Sequence, residues 1–256
     1  MVKSYGIPYQ GSKNKIAEYI VYCVLAPAAV GKKGVRLIDA FGGGGAITAC
    51  AALSGFFDEI VYNDLNSELC NFVKETFKGE NTEKLKNIGF VLRDVFKNPG
   101  TEFYKKLLFS FGENMIDYAF SPDNEIKALN EFKENGKINF GSISGRIERC
   151  QRQSILKKYN IKFISKEYQE IDYKENDIIY FDPPYKDTCG YGEKISTFDT
   201  EAFLNFASNL KSKNVFISEY NIENKKFKEI ASIKRNSTFS ASNNNLIKKE
   251  KIYKKI

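Results

Sequence analysis

Asp182-Pro183-Pro184-Tyr185 is the segment of this sequence best suited to chemistry. It follows Ile178-Ile179-Tyr180-Phe181, which reads as a buried strand, and its two prolines stiffen the backbone just past the strand's end. An amine conjugated to a purine ring is a poor nucleophile, because its lone pair is delocalised. The Asp182 carboxylate and the Pro183 carbonyl, accepting the amine's two hydrogens, would favour the tetrahedral geometry in which the lone pair can attack. Tyr185 offers an aromatic face on which an extruded base can stack. The chain has no histidine, which removes His-based triads, His-metal sites and the commonest general base. The chemistry just described needs none of them.

Near the N-terminus a β-type run, Val35 to Asp39, enters Phe41-Gly42-Gly43-Gly44-Gly45. The G-x-G-x-x-G fingerprint is not met, because Gly42 and Gly44 fit but Ile47 stands at the third glycine position. No Gly-Lys-Ser/Thr follows, so the segment is not a phosphate loop either. Alone it reads as a ligand loop or a plain turn. Asp64 adds a second signal, 25 residues after Asp39 and at the end of the next strand, Ile60-Val61-Tyr62. An acid there suits hydrogen bonds to ribose hydroxyls; the alternative is a cap for the following helix. Glycines and acid together point to an adenosine-containing cofactor.

These residues need a sheet to position them. Ile16, Ile20 and Val24 recur every fourth position and predict a helix from Ser12 to about Leu25. Then come the first strand, the glycine turn, a helix at Ala46–Ser54, the second strand, and a helix at Ser67–Phe77. Ile161–Ile164, Ile178–Phe181 and Val215–Ser218 read as further strands, with a helix near Thr200–Leu210 between the last two. A β-like pair, Ile233–Phe239 and Leu246–Tyr253, flanks the turn Ser242–Asn245. This order predicts a doubly wound α/β sheet. Asp182 lies 143 residues after Asp39, too far for a compact sheet with short loops. An insertion is therefore expected at 78–155, leaving 1–77 and 156–256 as the catalytic domain. In the insertion Arg146, Arg149 and Arg152, spaced by threes on a predicted helix Arg146–Lys158, form one face for a polyanion or for solvent.

The net charge is +7, and residues 224–256 hold ten Lys and Arg against two Asp and Glu. That tail, with Lys248, Lys249 and Lys251, is a second candidate surface for nucleic acid. The hydrophobic content of 42% and charged content of 28% fit an ordinary globular chain. No apolar run approaches the roughly 20 residues of a membrane span, and Met1-Val2-Lys3-Ser4-Tyr5 lacks a signal-peptide plan. A cytoplasmic protein without membrane partners is expected. The five cysteines never form a C-x-x-C pair, so reduced thiols are expected and no metal.

The chain resembles the Dam-type DNA adenine methyltransferases, in which the cofactor half comes first and the catalytic motif late. Asp182 to Tyr185 matches the family's catalytic motif without substitution. Tyr9-Gln10-Gly11-Ser12-Lys13 is similar to its N-terminal cofactor segment, which implies that Tyr9 and Lys13 touch S-adenosylmethionine. Asp39-Ala40-Phe41-Gly42-Gly43-Gly44 resembles the methionine-binding loop, and Asp64 the ribose-binding acid. Arg146 to Arg152, Phe198-Asp199 and Phe216 to Tyr220 resemble smaller family motifs. One pair departs: Glu167-Tyr168 stands where the family has Asp and an aromatic against the cofactor's adenine. The resemblance implies a Rossmann-like S-adenosylmethionine-dependent fold with a mostly helical DNA-recognition insert. It also implies methylation of adenine N6 in double-stranded DNA by base flipping, without metal, and raises a cognate restriction nuclease as partner. Rival readings are a same-fold enzyme acting on cytosine N4, RNA adenine or a glutamine amide, and a non-catalytic DNA-binding relative. Asp182 disfavours the glutamine and many RNA relatives, which carry Asn in its place.

Overall fold

Short runs with an apolar middle become the central strands, because a parallel strand inside a sheet is buried on both faces. Arg36–Asp39 (β1), Glu59–Asn63 (β2), Ile161–Ile164 (β3), Ile178–Phe181 (β4) and Asn214–Glu219 (β5) pair in parallel in a computed structural model of the chain. Lys248–Lys255 (β7) pairs antiparallel with β5, and Phe227–Arg235 (β6) antiparallel with β7, giving the order β3-β2-β1-β4-β5-β7-β6. The structure describes residues 4–138, 141–184, 198–235 and 248–256. The strand order reverses between β1 and β4. That is the switch point at which doubly wound sheets bind ligands, outside the carboxyl ends of the strands.

The helices are Ala46–Ser54 (α1), Ser67–Lys78 (α2), Thr82–Lys86 (α3), Arg93–Lys97 (α4), Phe103–Phe109 (α5), Pro122–Asn135 (α6), Gly141–Arg152 (α7) and Thr200–Asn209 (α8). Two compact units emerge. The whole sheet and α8 fall in Glu18–Gly42, Ser54–Leu65 and Asn160–Ile256. The other unit is Met1–Ala17, Gly43–Leu53 and Asn66–Tyr159. It therefore holds the expected insertion together with the N-terminal segment, the later glycines and α2.

In the sheet unit one face carries Ile38, Val61, Ile179 and Val215 in one register row and Phe181, Ile217 and Tyr253 in the next. Phe203 and Ala207 of α8 belong to the same buried cluster. Each fully buried side chain of this size contributes about 1.5–3 kcal/mol. Asp199 caps α8, its Oδ1 accepting from the Ala202 amide at 2.9 Å. At the opposite edge Arg36 donates to both oxygens of Asp177, at 2.8 and 2.7 Å, and to the Asp172 carbonyl at 2.7 Å. That fork fastens the start of β1 to the turn before β4.

The helix expected from Ser12 begins as turns and becomes a π-helical segment, Tyr19–Leu25. β6 starts at Phe227, six residues before the predicted strand, and a register shift between Glu229 and Ala231 explains why. The bulge breaks the two-residue alternation from which strands are read. The predicted turn Ser242–Asn245 lies outside the described residues. Among the described residues no helix is long and apolar enough to cross a membrane.

Candidate active site

The parallel strands bring the predicted acids to one edge of the sheet unit. Asp39 ends β1, Asp64 follows β2, Glu167 follows β3 and Asp182 follows β4. Asp39 is buried at 1% exposure, Asp64 and Asp182 are half-buried, and Glu167 is exposed. Pro183 is buried and Pro184 half-buried, so the motif's backbone is held from below while Asp182 keeps a face toward solvent. Tyr185 lies outside the described residues. Asp64 is not the cap of the following helix: that role belongs to Asn66, whose Oδ1 accepts from Glu68 and Leu69, each at 3.1 Å.

Asn63, which sequence reasoning passed over, ties this edge together. Its side-chain amide donates to the Ala40 carbonyl at 2.9 Å and to the Lys166 carbonyl at 3.1 Å, while its Oδ1 accepts from the Lys166 amide at 3.0 Å. Its own carbonyl accepts from the Gly42 amide at 2.7 Å. One buried residue thus sets the end of β1, the entry to the glycine turn and the segment carrying Glu167. The signal available in the sequence was an amide at a strand end, beside an acid.

Phe41 and Tyr168, both expected at the cofactor, lie together in an aromatic cluster with ring centroids 5.7 Å apart. Phe41 also meets Phe181, Phe198 and Phe203, at 6.1, 5.9 and 5.9 Å. The Tyr168 ring is buried against Phe203 and Phe206. Only Phe41 of the two keeps substantial exposure.

In the sequence Tyr180 reads as strand filler, yet its hydroxyl is buried beside the Ser218 hydroxyl with no well-formed hydrogen bond among the described residues. It is the register partner of Asp39, on the same sheet face. The neighbouring Ser218 hydroxyl donates to Glu250, itself fully buried. Burial, with the carboxylates of Asp182, Glu250 and Asp39 nearby, lifts the Tyr180 pKa well above the ordinary phenol value, against an opposing contribution from the Ser218 hydroxyl. The group is therefore a neutral donor. A buried donor without a well-formed bond costs up to about 1–3 kcal/mol, and an acceptor atom of a ligand at this edge would relieve it. Acids on β1 and β2 for hydroxyl and amino groups, with a donor on β4, fit a polar adenosine-containing ligand.

In the other unit Lys13 is 4% exposed and Tyr9 half-buried, so Lys13 is not the surface charge that a lone lysine suggests. A Cβ on Gly44 would come within 2.8 Å of the Tyr9 Cβ and 2.9 Å of the Ile7 carbonyl. Glycine is thus required there by close approach of the N-terminal segment. Of the arginine row, Arg146 donates to the carbonyls of Leu108 and Ser110 at 2.8 and 2.6 Å and pairs with Glu113 at 3.0 Å. Arg149 donates to the carbonyls of Gly6 and Tyr5. Both guanidinium groups hold backbone, and only Arg152 is exposed. Ser110 bridges Tyr118, and the loop between them presents Phe111 and Ile116 at 57% and 64% exposure. In the tail Lys249 is exposed, whereas Lys251 pairs with Glu229 at 3.0 Å. The Lys248 side chain lies outside what the structure describes. Among the described residues no group of three or more His, Cys, Asp or Glu could hold a metal ion.

A family model described as D12 class N6 adenine-specific DNA methyltransferase matches residues 9–144, just over half of the chain. No curated protein sequence matches. Among solved structures, the chain is similar to the methyltransferase candidate yhhF from Escherichia coli, with 10% identity and a TM-score of 0.43. That match covers 98% of this chain and 90% of the other. It is also similar to the rRNA methyltransferase aviRa from Streptomyces viridochromogenes, with 10% identity and a TM-score of 0.48, over 99% of this chain and 89% of the other.

Proposed function

The chain belongs to the D12 class N6 adenine-specific DNA methyltransferase family, and we propose on that premise that it methylates the exocyclic amino group of adenine within a short DNA sequence. That it is a methyltransferase of Rossmann-like fold using S-adenosylmethionine follows from the family and the sheet. The adenine and DNA specificity is the proposed part. The observation that carries it is the place of Asp182: half-buried after β4, at the point where the strand order reverses, on a backbone held by two prolines.

Bound S-adenosylmethionine supplies an electrophilic methyl group on a sulfonium. The chain's own task is to hold and activate the amine. Asp182 and the Pro183 carbonyl would accept its hydrogens, and the fixed carboxylate would stabilise the positive charge that grows on the nitrogen as the methyl group leaves sulfur for nitrogen, until the surplus amine proton passes to solvent. Tyr185 stacks on the extruded base. In the sheet unit Asp64 would receive the ribose hydroxyls, Asp39, Phe41 and Gly42 would meet the rest of the cofactor, and Glu167 with Tyr168 would border its adenine; the family resemblance assigns Tyr9, Lys13 and Gly44 to the same cofactor. Arg152 and Lys249, exposed and basic, meet the DNA backbone, as Lys248 and Lys251 of the tail also would.

Purified protein incubated with methyl-tritiated S-adenosylmethionine and unmethylated plasmid DNA tests the proposal. Label recovered as N6-methyldeoxyadenosine supports it. Label in N4-methyldeoxycytidine, or only in RNA or protein offered in parallel, overturns it.

A further inference from the structure

The first described residues of the chain are held by hydrogen bonds from far along the sequence. Arg149 on α7 donates from Nε to the Gly6 carbonyl at 2.9 Å and from Nη2 to the Tyr5 carbonyl at 2.7 Å. One turn on, Gln153 accepts from the Gly6 amide at 3.0 Å and donates to the Ser4 carbonyl at 3.3 Å. Gln153 is 1% exposed, and a second bond from its amide to the Arg149 carbonyl, at 3.1 Å, fixes its rotamer. The Tyr5 amide donates to Asn14 Oδ1 at 2.6 Å, closing the segment on itself. Every polar backbone group of Gly6 thus meets a side chain of one helix end.

The held segment touches the glycine run. The Ile7 amide donates to the Gly44 carbonyl at 2.7 Å, and Gly6, at φ +67°, lies so close that a Cβ would sit 2.2 Å from that same carbonyl. Tyr9 follows two residues later, against Gly43 and Gly44. The order of contact runs from α7 to residues 4–7 and from them to the glycine run.

We infer that Arg149 and Gln153 are positioning residues for the cofactor: by gripping residues 4–6 they set the Ile7–Gly44 contact and the placement of Tyr9. The inference rests on the reading that Tyr9 and the glycines meet S-adenosylmethionine. A rigid, prearranged binding segment avoids the ordering cost that weakens affinity. An arginine fork is suited to the task because its planar donors reach two successive carbonyls at once, which a lysine cannot do.

The test compares Arg149→Met and Gln153→Leu with the natural protein, each confirmed folded by thermal unfolding. In the absence of cofactor, hydrogen exchange at the Ile7 amide should speed up about tenfold or more, while Ile217 in β5 stays unchanged. Calorimetry should give S-adenosylmethionine affinity weakened about tenfold, with kcat at saturating cofactor within about threefold. Should Arg149→Met fail to fold, Arg149→Lys is read in the same way. Unchanged cofactor affinity in a folded variant overturns the inference, as does unchanged exchange at Ile7. A fall in kcat with cofactor affinity intact also overturns it and returns Arg149 to the DNA. If the natural protein binds no S-adenosylmethionine, the proposed function falls, and the exchange comparison alone decides whether Arg149 and Gln153 grip the segment.

Discussion

Tyr180 and Asp39 are register partners on the two central strands, and the Tyr180 hydroxyl is buried beside Ser218 without a well-formed hydrogen bond among the described residues. The pair makes opposite demands on stability and binding. Tyr180→Phe removes a poorly satisfied donor, so the ligand-free protein should keep or gain stability, by up to about 1 kcal/mol, in denaturant unfolding. The same change should weaken binding of cofactor or of the methylated-cofactor product, because the relieving contact is gone. A variant that is less stable, or that binds both ligands as the natural protein does, would show that the hydroxyl is structural.

Asp64→Ala should weaken S-adenosylmethionine binding by roughly 1.5–3 kcal/mol, the worth of a charge-assisted hydrogen bond. Helix α2 should keep its stability, because Asn66 rather than Asp64 accepts from its first amides. Calorimetry and thermal unfolding on one preparation separate the two. An unfolding loss with unchanged affinity would make Asp64 a structural acid.

Much of this site was legible because it sits at strand ends. β3, β4 and α1 run as their residue patterns predict, from the alternation of Ile161–Ile164, the uninterrupted apolar run of Ile178–Phe181 and the small residues of Ala46–Ser54. The carboxyl-edge acids then follow from parallel pairing. What stayed hidden was polar and distant in sequence. Arg149 and Gly6 are 143 positions apart, and nothing local distinguishes a guanidinium that grips a carbonyl from one that meets phosphate. Helix α6 escaped because Ala128 is its only buried residue, leaving no apolar stripe to count. Its Ser121 cap and its Gly136 stop were the available signals.

On the basic surface Arg152 and Lys249 are exposed, Arg152 in a loose 3.4 Å contact with the exposed Glu148, whereas Lys251 is more closely held. Arg152→Ala combined with Lys249→Ala should flatten the salt dependence of DNA binding by about 1.8 logarithmic units if each meets a phosphate. Lys251→Ala should do less, because its ammonium lies 3.0 Å from Glu229. Salt titrations on a fixed duplex measure this. An unchanged slope in the double variant would place the DNA elsewhere.

Thiol chemistry reports the burial of α7. Cys23 is exposed, while Cys50, Cys70 and Cys150 are buried, so a thiol reagent should label Cys23 in the native protein and the other three only after unfolding. Burial pushes the Cys150 thiol up to about 12 from an ordinary 9.0, with Arg149 opposing the rise. A raised acid favours the folded state fully below pH 9 and loses that advantage as pH climbs from 9 toward 12. The slope contributed is at most about 1.4 kcal/mol per pH unit. Cys150→Ala should remove that part of the alkaline loss. Rapid native labelling of Cys150, or an unaltered slope in the variant, would contradict its burial.

The central claim is that Asp182 activates an adenine amine in DNA. The direct measurement is to express the natural protein and Asp182→Ala in a methylation-free bacterial host and to map modified bases by single-molecule sequencing. The account predicts N6-methyladenine at one short recurring motif for the natural protein. For a folded variant it predicts marking reduced at least about 100-fold, as for loss of a preorganised electrostatic group. Adenine marks persisting at similar density in Asp182→Ala, or genomic DNA unmodified by the natural protein, would contradict it.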